Sequence, residues 1–370
     1  MSKLKELKQM GQSAWLDFIR RSLLASGELK HLVEQGICGL TSNPAIFEKA
    51  IAGSTDYDDE IRQLTQRGMS TPAIYETLAV DDIRLAADEL AAVYESTGAG
   101  DGYVSLEVDP ELANDTRTTV AEARRLFETV RRPNLMIKVP ATPAGLPAIT
   151  ELIGAGVNVN VTLIFGLDNY RRVAQAFIAG LENLSRSGPA AAGGHDIEQV
   201  ASVASFFVSR VDTAVDRELQ KTGRSELLGT IAIANCKLAY AEYRQIFSGS
   251  RWRKLAERGA RVQRVLWAST STKNPDYPDT LYVDELIGPD TVNTLPPSTL
   301  EHFLDHGRVA ETVTREVEAA RRRICGLKEL NIDLSAVTDR LQAEGVADFV
   351  RPFKALMASI EAKRRQLAAS

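Results

Sequence analysis

Val157-Asn158-Val159-Asn160-Val161-Thr162-Leu163 alternates apolar and polar side chains without a break. Successive residues of a strand point to opposite faces, so Val157, Val159, Val161 and Leu163 share one direction. Asn158, Asn160 and Thr162 share the other. The apolar set suits packing against helices, which leaves amides and a hydroxyl on the inner side of a sheet. A barrel interior is normally filled by apolar side chains, and polar groups belong there only near the C-terminal mouth, where barrel active sites occur.

Seven more short apolar runs read as strands, at 13–17, 37–41, 103–108, 135–139, 202–206, 262–269 and 291–295. Helical patterns lie between them, such as 74–94, 114–130, 167–185 and 210–219. Strands that alternate with helices imply right-handed crossovers and a parallel sheet. Eight such units favour an α/β fold of the closed (β/α)8 TIM-barrel type over an open doubly wound sheet. No Gly-x-Gly-x-x-Gly or Walker pattern follows any strand, which also counts against a nucleotide-binding sheet. The expectation is one domain over residues 1–370, with additional N-terminal and C-terminal helices. The stretch from about 309 to 370 is rich in Ala, Arg, Glu and Leu and reads as helices packing on the barrel as part of its outer layer. Ser187 to His195, rich in Gly and Ala, reads as a flexible loop.

With 44% hydrophobic and 25% charged residues, the 370-residue chain has an ordinary soluble composition. A net charge of −5 and a pI near 5.6 argue against a general nucleic-acid or anionic-membrane binder. An anionic small substrate would need a local basic cluster. Cys38, Cys236 and Cys325 are far apart and suggest a reducing compartment. The N-terminus lacks a signal-peptide core and no stretch approaches a membrane span, so a cytoplasmic location is expected. Four histidines form no zinc-type cluster; His302 and His306, four apart, read as a solvated helix face rather than a metal pair.

Lys138 sits in Asn134-Leu-Met-Ile-Lys138-Val-Pro-Ala141, a run that reads as a buried strand. A buried lysine needs a partner, and desolvation favours the neutral, nucleophilic amine that Schiff-base chemistry requires. The alternative is a strand-end lysine that reaches solvent along its stem. Strand three places Tyr103, Ser105 and Glu107 on one face, strand four Met136 and Lys138, and strand one ends at Asp17. Lys138, Glu107, Asp17, Asn160 and Thr162 thus converge at the mouth. A structural Lys138–Glu107 ion pair would explain the charges but not the amides and hydroxyls on neighbouring strands. Two carboxylates and a lysine can shuttle protons around an iminium. For an anion, Ser205, Phe207 and Arg210 close strand six, and Ser269-Thr-Ser-Thr-Lys273-Asn274 follows strand seven. Hydroxyls beside Arg or Lys at late strand ends are what a barrel phosphate site needs, although each cation could also be a surface charge.

Five ordered segments resemble transaldolase: Gly39-Leu-Thr-Ser-Asn-Pro-Ala-Ile-Phe47, Ser105-Leu-Glu-Val-Asp109, Met136-Ile-Lys-Val-Pro-Ala141, Val159-Asn-Val-Thr-Leu163 and Ala204-Ser-Phe-Phe-Val-Ser-Arg210. The similarity runs from about Asp17 to Lys273 and is closest to the longer bacterial form. It implies a class I aldolase barrel without metal or organic cofactor, acting as a monomer or homodimer on sugar phosphates. The implied reaction moves a dihydroxyacetone unit from sedoheptulose 7-phosphate or fructose 6-phosphate to glyceraldehyde 3-phosphate or erythrose 4-phosphate, in the non-oxidative pentose phosphate pathway. Lys138 matches the Schiff-base lysine, and Glu107 the acid/base glutamate that works through a water held by Thr162. Asp17 matches the aspartate that takes the C4-hydroxyl proton. Asn43 and Asn160 match amides that bind donor hydroxyls; Ser205, Phe207, Arg210 and Ser269 match the sugar and phosphate region. Two departures stand out. The segment after strand seven is two residues longer than the family pattern and carries Lys273 where an arginine is usual. Strand one, Ser13-Ala-Trp-Leu-Asp-Phe18, is bulkier than the common pattern. The alternatives are a fructose 6-phosphate aldolase-like enzyme that releases free dihydroxyacetone, and a non-catalytic barrel that serves as a binding protein.

Overall fold

The computed structural model describes residues 2–187 and 196–369, so the loop expected at 187–195 lies outside the described residues apart from Ser187. Eight strands form the centre: β1 (Gln12–Leu16), β2 (Ile37–Thr41), β3 (Tyr103–Glu107), β4 (Leu135–Pro140), β5 (Val159–Ile164), β6 (Ser202–Phe207), β7 (Arg264–Ala268) and β8 (Thr291–Leu295). They pair in chain order, all parallel, and β8 returns to β1 to close a (β/α)8 barrel. Closure leaves no unpaired sheet edge. The strand expected at 262–269 stops at Ala268 because Ser269 adopts a left-handed φ of 58°, which a ladder cannot accommodate.

The outward valines of β5 and their counterparts on the other strands are fully buried under the surrounding helices. The sequence suggests one helix over 74–94; the chain forms two, Thr71–Glu89 and Ala91–Ser96, sharing Leu90 as a boundary. The helix Thr116–Val130 begins at Asp115, whose carboxylate accepts the Thr118 N–H at 3.1 Å. An acceptor there satisfies one of the orphan donors of the first turn.

The large Trp15 side chain of β1 fits because β2 carries Gly39. A Cβ on Gly39 would come within 2.5 Å of the indole. Trp15 Nε1 donates to Asp101 Oδ1 at 2.8 Å, and Arg264 Nη1 donates to Ser13 Oγ at 2.7 Å. With Arg264 also 3.4 Å from Asp101, these groups form a satisfied polar plug near the starts of β1, β3 and β7. The plug lies at the end of the barrel opposite the mouth.

The segment after 309 differs from the outer-layer expectation. The helix Val317–Gly326 does pack on the outer helix Ile231–Ile246. The 36-residue helix Leu334–Ala369, however, packs against the helices that follow β2 and β6 and touches β5. Gln342 anchors it, donating through Nε2 to Ala141 O at 2.8 Å and to Leu163 O at 3.1 Å, both near strand ends. This closing helix therefore lies across the mouth. Among the described residues, no helix is long and apolar enough to cross a membrane.

Candidate active site

Register sets the site's first row. Glu107 of β3 pairs with Lys138 of β4, and Lys138 pairs with Asn160 of β5. Paired residues on neighbouring strands point to the same face, so all three enter the barrel at one level. Lys138 Nζ lies 3.4 Å from Glu107 Oε2 and donates to Ser42 O at 3.2 Å. Both side chains are buried. From the open side, the Phe349 ring of the closing helix covers Lys138, with Nζ 5.5 Å from the ring centroid.

Around Lys138 lies a cavity of about 160 Å³. Nine of the eleven residues singled out in the sequence line it: Asp17, Asn43, Lys138, Thr162, Ser205, Phe207, Arg210, Ser269 and Lys273. Asp17 stands one residue past β1, where its N–H donates to Leu295 O at 2.8 Å. Thr41 Oγ1 donates to Asp17 Oδ1 at 2.7 Å and contacts Thr294 Oγ1 at 2.6 Å. Burial raises the Asp17 pKa above the ordinary carboxylate range, against the pull of the Lys138 charge, the Thr41 hydrogen bond and Lys273. Burial likewise raises Glu107, opposed by the charge and hydrogen bond of Lys138 and reinforced by Asp17. Carboxyls shifted upward this way hold and release protons closer to neutral pH.

The other two residues are placed differently. Glu107 borders a second cavity, of about 150 Å³, together with Tyr75, Asp109 and Phe353. Asn160 is fully buried and does not line the cavity, its amide already engaged: Nδ2 donates to Ser105 Oγ at 3.0 Å, and Oδ1 accepts from Ser205 at 2.7 Å. The chain of Ser105, Asn160 and Ser205 thus ties β3, β5 and β6 together under Lys138. Asn43 caps the helix Pro44–Ala52 by accepting the Ile46 N–H at 3.0 Å. That bond occupies its carbonyl oxygen and fixes its side chain at the rim.

Thr162 owes its position to an irregularity. Pairing between β5 and β6 shifts register between Val161 and Ile164, and Leu163 takes a φ of 61°. A left-handed leucine costs about 1–2 kcal/mol, the kind of strain that persists where the surroundings over-determine the backbone. Gln342 of the closing helix receives the Leu163 carbonyl at this kink. Thr162 Oγ1 is left buried with no hydrogen-bond partner among the described residues, facing the cavity beside Lys138. A buried hydroxyl there needs a partner, and a water in the cavity would supply one.

The cavity wall also carries two positive charges, Arg210 and Lys273. Arg210 lies over the Phe207 ring at 5.7 Å and pairs with Asp348 at 2.9 Å. Lys273 Nζ donates to Ser271 Oγ at 2.6 Å, and burial followed by repulsion from Arg210 lowers its pKa. Ser269 Oγ, also on the cavity wall, meets Ser209 Oγ at 3.0 Å. Two cations, several hydroxyls, an amine and the Asp17 carboxyl on one cavity wall, with Glu107 beside the amine, suit a polyhydroxylated anion reacting at its carbonyl end.

Sequence reading missed Thr41, Ser271, Thr294 and Phe349 among the cavity's lining. Thr41 ends a strand in a segment already singled out, so its position was available as a signal. No local pattern distinguishes Phe349 from the other apolar residues of a 36-residue helix.

Comparison with known proteins shows the family. The profile of the family described as transaldolase/fructose-6-phosphate aldolase matches residues 14–360. A protein named transaldolase 2 from Nostoc sp. is 50% identical, the match spanning 98% of each chain. The transaldolase of Thermobifida fusca is 49% identical over 96% of each chain. That of Parafrankia sp. is 50% identical over 97% of this chain and 98% of its own. On the profile match and these full-length identities, the chain belongs to the transaldolase/fructose-6-phosphate aldolase family.

Proposed function

We propose that this chain is a transaldolase that carries a dihydroxyacetone unit between sugar phosphates as a Schiff base on Lys138. The observation that carries the reading is a buried amine level with Glu107, in a cavity that Asp17 and the cations Arg210 and Lys273 also line. The Lys138 amine attacks C2 of a ketose phosphate such as sedoheptulose 7-phosphate or fructose 6-phosphate. Glu107, through a water seated on Thr162, moves the protons that turn the carbinolamine into an iminium and expel water. Asp17 takes the C4-hydroxyl proton as the C3–C4 bond breaks, and the bond's electrons pass into the iminium to give an enamine. The aldose phosphate product leaves. Glyceraldehyde 3-phosphate or erythrose 4-phosphate then accepts the enamine carbon, its new hydroxyl taking the proton back from Asp17. Water returned through Glu107 hydrolyses the product imine.

Arg210, Lys273 and Ser269 are the groups for the phosphate, and Asn43 and Ser205 for the donor hydroxyls. Asn160 supports Ser205 from below. Phe207 and Phe349 keep water from the enamine, which favours transfer over hydrolysis. The reaction places the chain in the non-oxidative pentose phosphate pathway. Its unpaired cysteines, two of them buried, fit a reducing cytoplasm.

The test is chemical trapping. Incubation with fructose 6-phosphate and borohydride should leave a reduced three-carbon adduct on Lys138, located by peptide mass spectrometry. An adduct on another lysine, or none, overturns the mechanism. Free dihydroxyacetone accumulating without an aldehyde acceptor would instead indicate an aldolase.

A further inference from the structure

We propose that Asp348 is a specificity-determining residue that sets the site's affinity for phosphate by competing for Arg210. The inference rests on the reading of Arg210 as a phosphate ligand.

Arg210 Nη1 donates to Asp348 Oδ2 at 2.9 Å, while Arg210 itself lines the cavity. Asp348 comes from the closing helix, so the carboxylate reaches the cation from across the mouth. Its other oxygen accepts from Arg351, one turn further along the same helix. The two side chains are about a third exposed, Arg210 at 31% and Asp348 at 33%, so solvent can enter between them. No other hydrogen-bond partner of Arg210 is found among the described side chains.

The chemistry follows from charge and geometry. A phosphate dianion seated on Arg210 would stand beside the Asp348 carboxylate, and like charges at that range repel. An N–H already aimed at Asp348 cannot serve a phosphate oxygen at full strength. Phosphate must therefore displace Asp348 or share the guanidinium with it. Displacement leaves no charge stranded, because Arg351 remains to hold the carboxylate. Lys273 forms no ion pair among the described residues: its hydrogen bond goes to the neutral Ser271, and the Asp17 carboxyl acts on it only beyond hydrogen-bond range. The closing helix thus supplies a built-in anion to one of the two cations, and every phosphorylated substrate must exchange with it. The consequence is weaker phosphate binding and faster release than the two cations alone would give.

The test uses inorganic phosphate as a competitive inhibitor of the full-length enzyme, with the native chain, Asp348→Asn, Arg210→Ala and the double variant. Asp348→Asn keeps the side chain's shape and removes its charge. For a partly screened pair of this exposure, the phosphate inhibition constant should fall by about three- to tenfold. KM for fructose 6-phosphate should fall in proportion, with kcat moving less, and the gain should vanish in the Arg210→Ala background. A phosphate constant that is unchanged or higher in Asp348→Asn overturns the proposal, since Asp348 would then be a bystander or a buttress for the arginine. Should Arg210→Ala alone leave the native phosphate constant unaltered, the reading of Arg210 as the ligand fails, and the proposal falls with it. Urea unfolding of Asp348→Asn separates a loss of folding from a change in affinity.

Discussion

Replacing Glu107 by Gln should separate what the carboxylate does for chemistry from what it does for stability. Glu107 Oε2 lies 3.4 Å from Lys138 Nζ. At an effective dielectric of about 20, that separation is worth roughly 5 kcal/mol of attraction. Burial opposes it and is the larger influence, because the carboxyl's pKa is raised despite the lysine. The ionised form is therefore held in the folded protein at a net cost. For a carboxyl raised on folding, the stabilising contribution is complete below its unfolded pKa and is lost as pH rises through the folded value. Gln removes that loss. Lys138 keeps the Asp17 charge and the Ser42 carbonyl at 3.2 Å. At pH 8, Glu107→Gln should stay within about 1 kcal/mol of the native protein or exceed it, by the same balance. Turnover should nevertheless fall by about 10²- to 10⁴-fold, as expected when a positioned acid/base is lost. Urea unfolding at pH 5 and pH 8, paired with transfer from fructose 6-phosphate to erythrose 4-phosphate, measures both. A variant that loses about 3 kcal/mol or more yet retains its turnover would refute the reasoning, since that is how a structural buried pair behaves when one partner is removed.

Phe349→Ala should enlarge the cavity of about 160 Å³ beside Lys138 and admit water to the enamine. Free dihydroxyacetone released without an acceptor should rise about tenfold relative to transfer, equivalent to about 1.4 kcal/mol of lost exclusion; an unchanged ratio in an enzymatic dihydroxyacetone assay would count against a covering role. Asp212 accepts from Ala232 N at 2.6 Å and Tyr282 OH at 2.9 Å, and burial pushes its pKa from 3.8 up to about 7. Its contribution to stability, of order 4 kcal/mol, should be full below about pH 4 and lost as pH rises through about 7. Asp212→Asn should flatten the stability profile between pH 5 and pH 8, and urea midpoints that keep the native slope would contradict this. Gly39→Ala drives a Cβ to within 2.5 Å of Trp15 and should destabilise the barrel by about 1–3 kcal/mol; an unchanged melting temperature would show that the indole can move aside.

The alternation in Val157 to Leu163 was enough to put Asn160 and Thr162 inside a barrel, because side-chain direction in a strand is a local property. Reading the same rule on two neighbouring strands brought Glu107 and Lys138 to the same face. What the rule could not supply was depth. Asn160 reads like a substrate amide, but its hydrogen bonds to Ser105 and Ser205 depend on three strands arriving at the same level. The kink at Leu163 is likewise invisible locally, since leucine has no preference for a left-handed φ. Helix 334–369 shows the larger gap. Its composition suits an outer layer, and its place across the mouth depends on long-range contacts such as Gln342 with the Ala141 and Leu163 carbonyls and Lys363 with Ser54. Asp348 and Phe349 acquire their positions from that docking alone.

The same docking bears on timing. Every residue of the closing helix is translated after all eight strands, so Lys138 takes its aromatic cover from a part of the chain made later than the strands that hold it. The carboxylate partner of Arg210 and the outer support of the β5 kink come from the same later segment. The barrel thus borrows the cover of its amine, the partner of its cavity arginine and the brace of its strained strand from one helix that contributes no strand to it.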